Sequence, residues 1–330
     1  MLGRYPTALT ETWHPLLEHA QPLGVVMKIN WQGVFPAVTT QLNQDESLNL
    51  NKTQEVIDNL IKDGVDGIIC LGTVGENCSL SAAEKREVMS AAHEVINGRV
   101  PLIAGTAECT TRQAVQYVED VTKIGANGCM VLPGMVYRSN NEEALYHFST
   151  IARNNPDTAI MIYNNPVTYG VDVNLEMMAT LAELANVVAI KESTTDTRRI
   201  TELYNRFDDR FTVFCGVDDI ALESIMLGAT GWISGLTNAF PRESVALFKL
   251  AKEGRYEEAR EIYRWFLPLL RLDTIPTLVQ CIKLAEQVCG RGSEVTRAPR
   301  LPLSGSERSR VISLVEQSLA TRPDLAKYGC

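Results

Sequence analysis

Residues 187–193, Val-Val-Ala-Ile-Lys-Glu-Ser, join an apolar β-branched run to a lysine, a carboxylate and a hydroxyl. A run of this kind between helical segments reads as a buried parallel strand, with Lys191 at its carboxyl end. Low-dielectric surroundings disfavour the charged form of an amine and lower its pKa. A lysine so placed becomes a nucleophile toward a ketone carbonyl. Alone, the same pattern also suits a lysine that snorkels from a strand end into solvent. Two other strand ends carry companions for it. Residues 72–77, Gly-Thr-Val-Gly-Glu-Asn, flank Thr73 and Val74 with Gly72 and Gly75. Backbone N–H groups of such a turn can converge on an anion, and the threonine hydroxyl adds a donor, although a tight turn needs the same glycines. Residues 163–166, Tyr-Asn-Asn-Pro, end another run in a phenol. An anion cradle, a phenol and a buried amine at one mouth suit imine chemistry on a 2-oxo acid, which needs no metal and no organic cofactor.

The elements that must bring these residues together form a repeat. Apolar runs occupy 34–38, 67–71, 100–104, 129–132, 159–163, 187–190, 211–215 and 231–234. Helix-period segments such as 51–63, 82–97, 111–124 and 174–184 lie between them. Ser81 and Glu84 have capping-box spacing, and Gly64, Gly98 and Gly125 stand where helices should end. Eight strands alternating with helices predict an α/β chain folded as a (β/α)8 TIM barrel, with active groups at the carboxyl ends of the strands. A doubly wound open sheet is the alternative. It normally carries a Gly-rich dinucleotide turn after an early strand, and the sequence has none. Three regions follow: an extension over 1–27, either an ordered arm or a leader to the core; the barrel over 28–240; and a helical region over 241–330. Segments 241–252, 256–270, 275–289 and 306–319 read as its amphipathic helices.

Composition removes several function classes. A net charge of -9 with no basic stretch argues against nucleic acid, and no apolar run is long enough for a bilayer. The cysteines have no paired spacing, which points to a reducing, cytoplasmic setting. His14, His19, His93 and His147 lie at no metal-ligand spacing, the last two within predicted helices.

The ordered set GTVGEN (72–77), YNNP (163–166), AIKES (189–193), CGVDD (215–219) and GATGWISGLTN (228–238) resembles the dihydrodipicolinate synthase/N-acetylneuraminate lyase family of class I aldolases. The similarity runs from about Gly33 into the carboxyl-terminal helices. It implies a homo-oligomer, commonly a tetramer built as a dimer of dimers, acting on a small 2-oxo acid such as pyruvate. By that resemblance Lys191 forms the Schiff base, Tyr163 is the acid/base phenol, and Thr73 binds the substrate carboxylate and passes protons. Gly72, Val74, Gly216 and Ile233 line the same pocket.

Departures from the synthases within the family are informative. Val74 stands where they carry a second threonine. Met135 occupies the simplest match to a tyrosine they donate across a subunit interface, with Tyr137 a substitute only if the loop is shifted. Thr168 replaces an arginine that grips the second substrate's carboxylate, a loss on the order of a few kcal/mol of binding. Ser193 resembles the serine of 4-hydroxy-2-oxoglutarate aldolases. The loop 132–139 with Gly216-Val217-Asp218 resembles pyrroline-4-hydroxy-2-carboxylate deaminases, in which Arg138 holds a carboxylate or is simply solvated. Glu76 and Glu192 are expected to fix turns. The expectation is a catabolic Schiff-base lyase. The alternatives are an authentic 4-hydroxy-tetrahydrodipicolinate synthase, a non-catalytic 2-oxo-acid-binding barrel and a metal-dependent aldolase.

Overall fold

The computed structural model describes residues 26–134 and 137–330. Most of the expected extension, with His14 and His19, and Met135 and Val136 of the loop after the fourth strand lie outside the described residues. Eight strands follow in chain order: β1 Gly33–Pro36, β2 Ile68–Cys70, β3 Leu102–Thr106, β4 Gly128–Val131, β5 Ala159–Asn164, β6 Val187–Glu192, β7 Thr212–Cys215 and β8 Gly231–Ser234. They form one parallel sheet in the order β1-β8-β7-β6-β5-β4-β3-β2. Its two ends meet. Ala37 bridges Ile69, and the Val38 N–H donates to the Ile69 carbonyl at 2.8 Å, so the sheet is a (β/α)8 barrel.

Strands covered on both faces must be apolar along their length, which is why each appeared as a run rather than as an alternation. Alternate residues still divide between two cores. Phe35, Ile69, Ile103, Met130, Met161, Phe214 and Ile233 point inward and fill the barrel. Ile68, Ile160, Ile190, Val213 and Trp232 point outward beneath the helices. Phe35 and Phe214 meet edge to face at 5.2 Å. The Phe214 ring lies where a side chain on Gly231 would be, 2.1 Å from an added Cβ, so glycine there makes the ring's position possible.

The helices obey the expected punctuation. The Ser81–Glu84 capping box is formed, and a second, Asn140–Glu143, opens Asn141–Asn154. Gly64 and Gly125 end helices with φ of +94° and +117°. The tail helix expected over 275–289 is Leu278–Val288: the residues before it form a turn closed by the Leu278 N–H donating to the Ile275 carbonyl at 3.0 Å, and Arg271–Asp273 forms a separate 3-10 turn. The expected strand 187–190 runs on through Lys191 and Glu192, both buried, Lys191 over the Tyr163 ring and Glu192 accepting from Asn164 Nδ2.

The helical tail reaches the turn after β2. Lys283 Nζ donates to Glu76 Oε1 at 2.6 Å, and both side chains are completely buried. Lys283 also donates to the Val295 carbonyl, and the Arg297 N–H donates to Glu76 Oε2 at 3.0 Å. Removing one member of such a pair strands the other's charge. Lys283→Met is therefore expected to destabilise the fold by about 3–5 kcal/mol in urea denaturation, with most of the loss recovered in Lys283→Met/Glu76→Gln. An unchanged midpoint in the single variant would show that the pair does not anchor the tail.

Candidate active site

Five strand ends build the site. Lys191 follows four apolar residues of β6 and is 7% exposed, so the backbone carries its amine to the mouth through the barrel wall. Its Cα is paired in register with Tyr163 on β5. Its Nζ lies 4.1 Å from the centroid of the Tyr163 ring, an arrangement that attracts a positive nitrogen to the ring face. Tyr163 is itself only 5% exposed.

Thr73 sits in the turn after β2, and the residues bracketing that turn are strained. Leu71 and Glu76 hold φ of +61° and +56°. Left-handed conformations in non-glycine residues cost on the order of 1 kcal/mol or more each and persist only where the surroundings impose them. Here Lys283 and Arg297 fix Glu76 from one side. On the other, Asn77 Nδ2 donates to the Leu71 and Gly105 carbonyls. Glu76 therefore holds its turn, as expected. Glu192 does the same at β6, accepting from Asn164 Nδ2 at 3.0 Å and from the Thr194 N–H at 2.7 Å. Burial raises the Glu192 pKa against those hydrogen bonds.

A residue without an assigned role in the sequence reading joins these groups. Tyr169 places its hydroxyl 2.5 Å from Thr73 Oγ1 and its ring edge to face with Tyr163, centroids 5.5 Å apart. The Tyr163 hydroxyl accepts from Asn165 Nδ2 at 3.3 Å. Burial pushes the Tyr169 phenol well up, the neighbouring Tyr163 adds to this, and the Thr73 bond opposes it. The helical turn Pro166–Tyr169 delivers it. Asn165 caps that turn through the Thr168 N–H at 3.0 Å, Pro166 takes the first position, and Gly170 ends it at φ +74°. Asn-Pro-x-x-Tyr-Gly is thus a complete start and stop signal, from which Tyr169 can be placed one turn beyond Tyr163.

The other sequence candidates fall as follows. Gly216, after β7, lies against the lysine: a Cβ there would be 2.1 Å from Ser193 Oγ and 2.6 Å from Lys191 Cε. Ser193 Oγ is buried and has no hydrogen-bond partner, a hydroxyl left free beside the amine. Val74 and Ile233 belong to the apolar cluster inside the barrel that also holds Tyr163. Gly72 has space around it, with Met130 3.5 Å from an added Cβ, so its backbone is approachable. Arg138 is exposed, and its Nε–H donates to the Gly170 carbonyl at 2.6 Å, clamping the end of the Tyr169 turn. Tyr137 is 62% exposed. The phenol that meets Thr73 within this chain is Tyr169. The crowding at residue 216 gives a direct prediction. Gly216→Ala must displace Lys191 or Ser193, and a shift of about 1 Å in a reacting group is worth roughly 100-fold in kcat/KM. Steady-state rates near those of the parent would contradict this.

A family model described as the dihydrodipicolinate synthetase family matches residues 30–318. The chain belongs to the dihydrodipicolinate synthetase family. Among similar members, a 4-hydroxy-tetrahydrodipicolinate synthase of Geotalea daltonii is 32% identical over 87% of this chain and 98% of its own. One from Methanosarcina barkeri is 32% identical over 85% and 96%. The crystal structure of dihydrodipicolinate synthase from Aquifex aeolicus superposes with a TM-score of 0.83 at 30% identity, covering 87% of this chain and 98% of that one. YagE, a prophage protein of this family from E. coli K12 solved in complex with pyruvate, gives 0.83 at 28% identity over 88% and 99%. Members of the family are lyases and aldolases, and this chain is a lyase of that family.

Proposed function

We propose that this lyase forms a Schiff base between Lys191 and pyruvate or another small 2-oxo acid, and that its preferred substrate is a hydroxylated catabolic one. The observation that carries the reading is the cluster Lys191–Tyr163–Tyr169–Thr73: a buried amine over one phenol, whose ring meets that of a second phenol hydrogen-bonded to Thr73. The neutral amine adds to C2 of the ketone, giving a carbinolamine. Loss of its hydroxyl as water takes one proton, supplied by Tyr163, and leaves the imine. Tyr163 regains a proton along Tyr169 and Thr73. The protonated imine then acts as an electron sink for bonds at C3 and C4. Backbone N–H groups at Gly72 and Val74 and the Thr73 hydroxyl receive the substrate carboxylate; pyruvate is the small molecule with which the relative YagE is solved.

Preference for a hydroxylated substrate rests on Ser193, whose free buried hydroxyl is suited to a substrate hydroxyl, and on Thr168, exposed and unable to form a bidentate carboxylate pair. A side-by-side assay with 4-hydroxy-2-oxoglutarate, pyrroline-4-hydroxy-2-carboxylate, and pyruvate plus aspartate semialdehyde tests this. One of the first two should exceed the condensation in kcat/KM by about 100-fold or more, the scale of one lost charged contact. Robust condensation would favour the second reading, the authentic synthase, whose name the cited curated relatives bear. A tetrameric assembly and a cytoplasmic setting complete the proposal.

A further inference from the structure

One residue stands between the strand that carries Tyr163 and the turn that carries Tyr169. Asn165 precedes Pro166, whose ring keeps its neighbour out of the helical region, and its backbone lies at φ -144° and ψ 79°. From there its amide reaches two partners. Oδ1 accepts the Thr168 N–H at 3.0 Å, and Nδ2 donates to the Tyr163 hydroxyl oxygen at 3.3 Å. The Asn165 carbonyl also accepts the Tyr169 N–H at 2.9 Å. These bonds decide which way the amide faces. A backbone N–H can only donate, so the atom toward Thr168 is the oxygen and the atom toward the phenol is the nitrogen. The helix cap thereby locks a donor onto the Tyr163 oxygen.

We infer that Asn165 is a positioning residue for the acid/base step: its locked amide holds the Tyr163 oxygen and stabilises the phenolate left when that oxygen gives up its proton. This rests on the Schiff-base reading of Lys191 and Tyr163. When the carbinolamine loses water, its C2–O bond breaks and the nitrogen lone pair forms the C=N bond. The departing oxygen takes the phenol proton, so a protonated imine, a water and a phenolate are left. Tyr163 is buried, and a buried anion needs donors aimed at it. Lys191 lies over the face of its ring, with Nζ 4.1 Å from the centroid, while Asn165 meets the oxygen itself. A hydrogen bond to an anion is stronger than one to a neutral hydroxyl. Asn165 therefore contributes more as the proton leaves than before, and an interaction of that kind raises kcat rather than ground-state binding.

Asn165→Asp separates this role from capping. Aspartate caps a helix as well as asparagine does, so the Thr168 N–H keeps its acceptor, but an oxygen replaces the donor at the phenol. The readout is the rate of imine formation with pyruvate, trapped by borohydride after timed mixing. The maximal rate should fall by about 10–100-fold, with the pyruvate concentration for half-maximal rate little changed. Asn165→Ser also caps and adds no charge, and should lose rate at the low end of that range, so the test survives an aspartate variant that folds poorly. A purely structural role predicts wild-type rates in the folded variants, and that result overturns the proposal. The loss must also run through the phenol. Asn165→Asp should slow Tyr163→Phe no further, and an undiminished second loss in the double variant overturns the proposal. Wild-type protein that forms no imine with any 2-oxo acid would remove the Schiff-base reading, and this role with it. A normal wild-type adduct with unaffected Asn165 variants would remove the role of Asn165 alone.

Discussion

Replacing Lys191 with methionine is expected to lower kcat/KM by roughly 10⁴-fold or more while leaving the protein folded. The size follows from what the amine does. In the proposed mechanism no covalent intermediate forms without it, and the remaining groups can only orient a ketone that has no electron sink. The fold should tolerate the change because methionine has nearly the same shape. The side chain stands at the strand end over the Tyr163 ring, where a thioether packs well. A circular dichroism spectrum and melting temperature like those of the parent, with turnover gone, is the expected pair of results. The variant also separates a catalyst from a barrel that merely binds 2-oxo acids. In a binding barrel, stabilisation by ligand would survive the substitution and turnover would be missing from the wild type as well.

Tyr169→Phe should lower kcat by about 10²–10³-fold with a smaller change in KM. The edge-to-face contact with Tyr163 needs only the ring, so stability should change little. What is lost is the hydroxyl that meets Thr73 beside Tyr163. Thr73→Val breaks the same chain one link further out, so the double variant should be scarcely slower than the worse single one. Additive losses would mean that the two hydroxyls act separately. An unaffected kcat in Tyr169→Phe would mean that Tyr163 exchanges its proton with solvent by another route.

Much of this was legible in the chain itself, for identifiable reasons. A parallel barrel buries both faces of every strand, so β1 to β8 stand out as apolar runs, and capping residues mark the helix ends. Lys191 was conspicuous because it is the polar stop at the end of such a run. Tyr169 was not, because its importance depends on a contact with Thr73 spanning 96 residues. Only the short turn Pro166–Tyr169, readable as a capped unit, hinted at where its ring would point. Arg138 shows the converse: its type suggested an anion, and its Nε–H is taken up by a carbonyl two residues past Thr168. Side chains that act through local sequence were found, and those that act through tertiary contact were not.

The most direct measurement is reduction of the protein with sodium borohydride in the presence of pyruvate, followed by peptide mass spectrometry. The account predicts one stable adduct per chain, on the peptide carrying Lys191, absent without borohydride and absent in Lys191→Met. Reduced protein of unchanged mass with every 2-oxo acid tried, or an adduct on a different lysine, would contradict it.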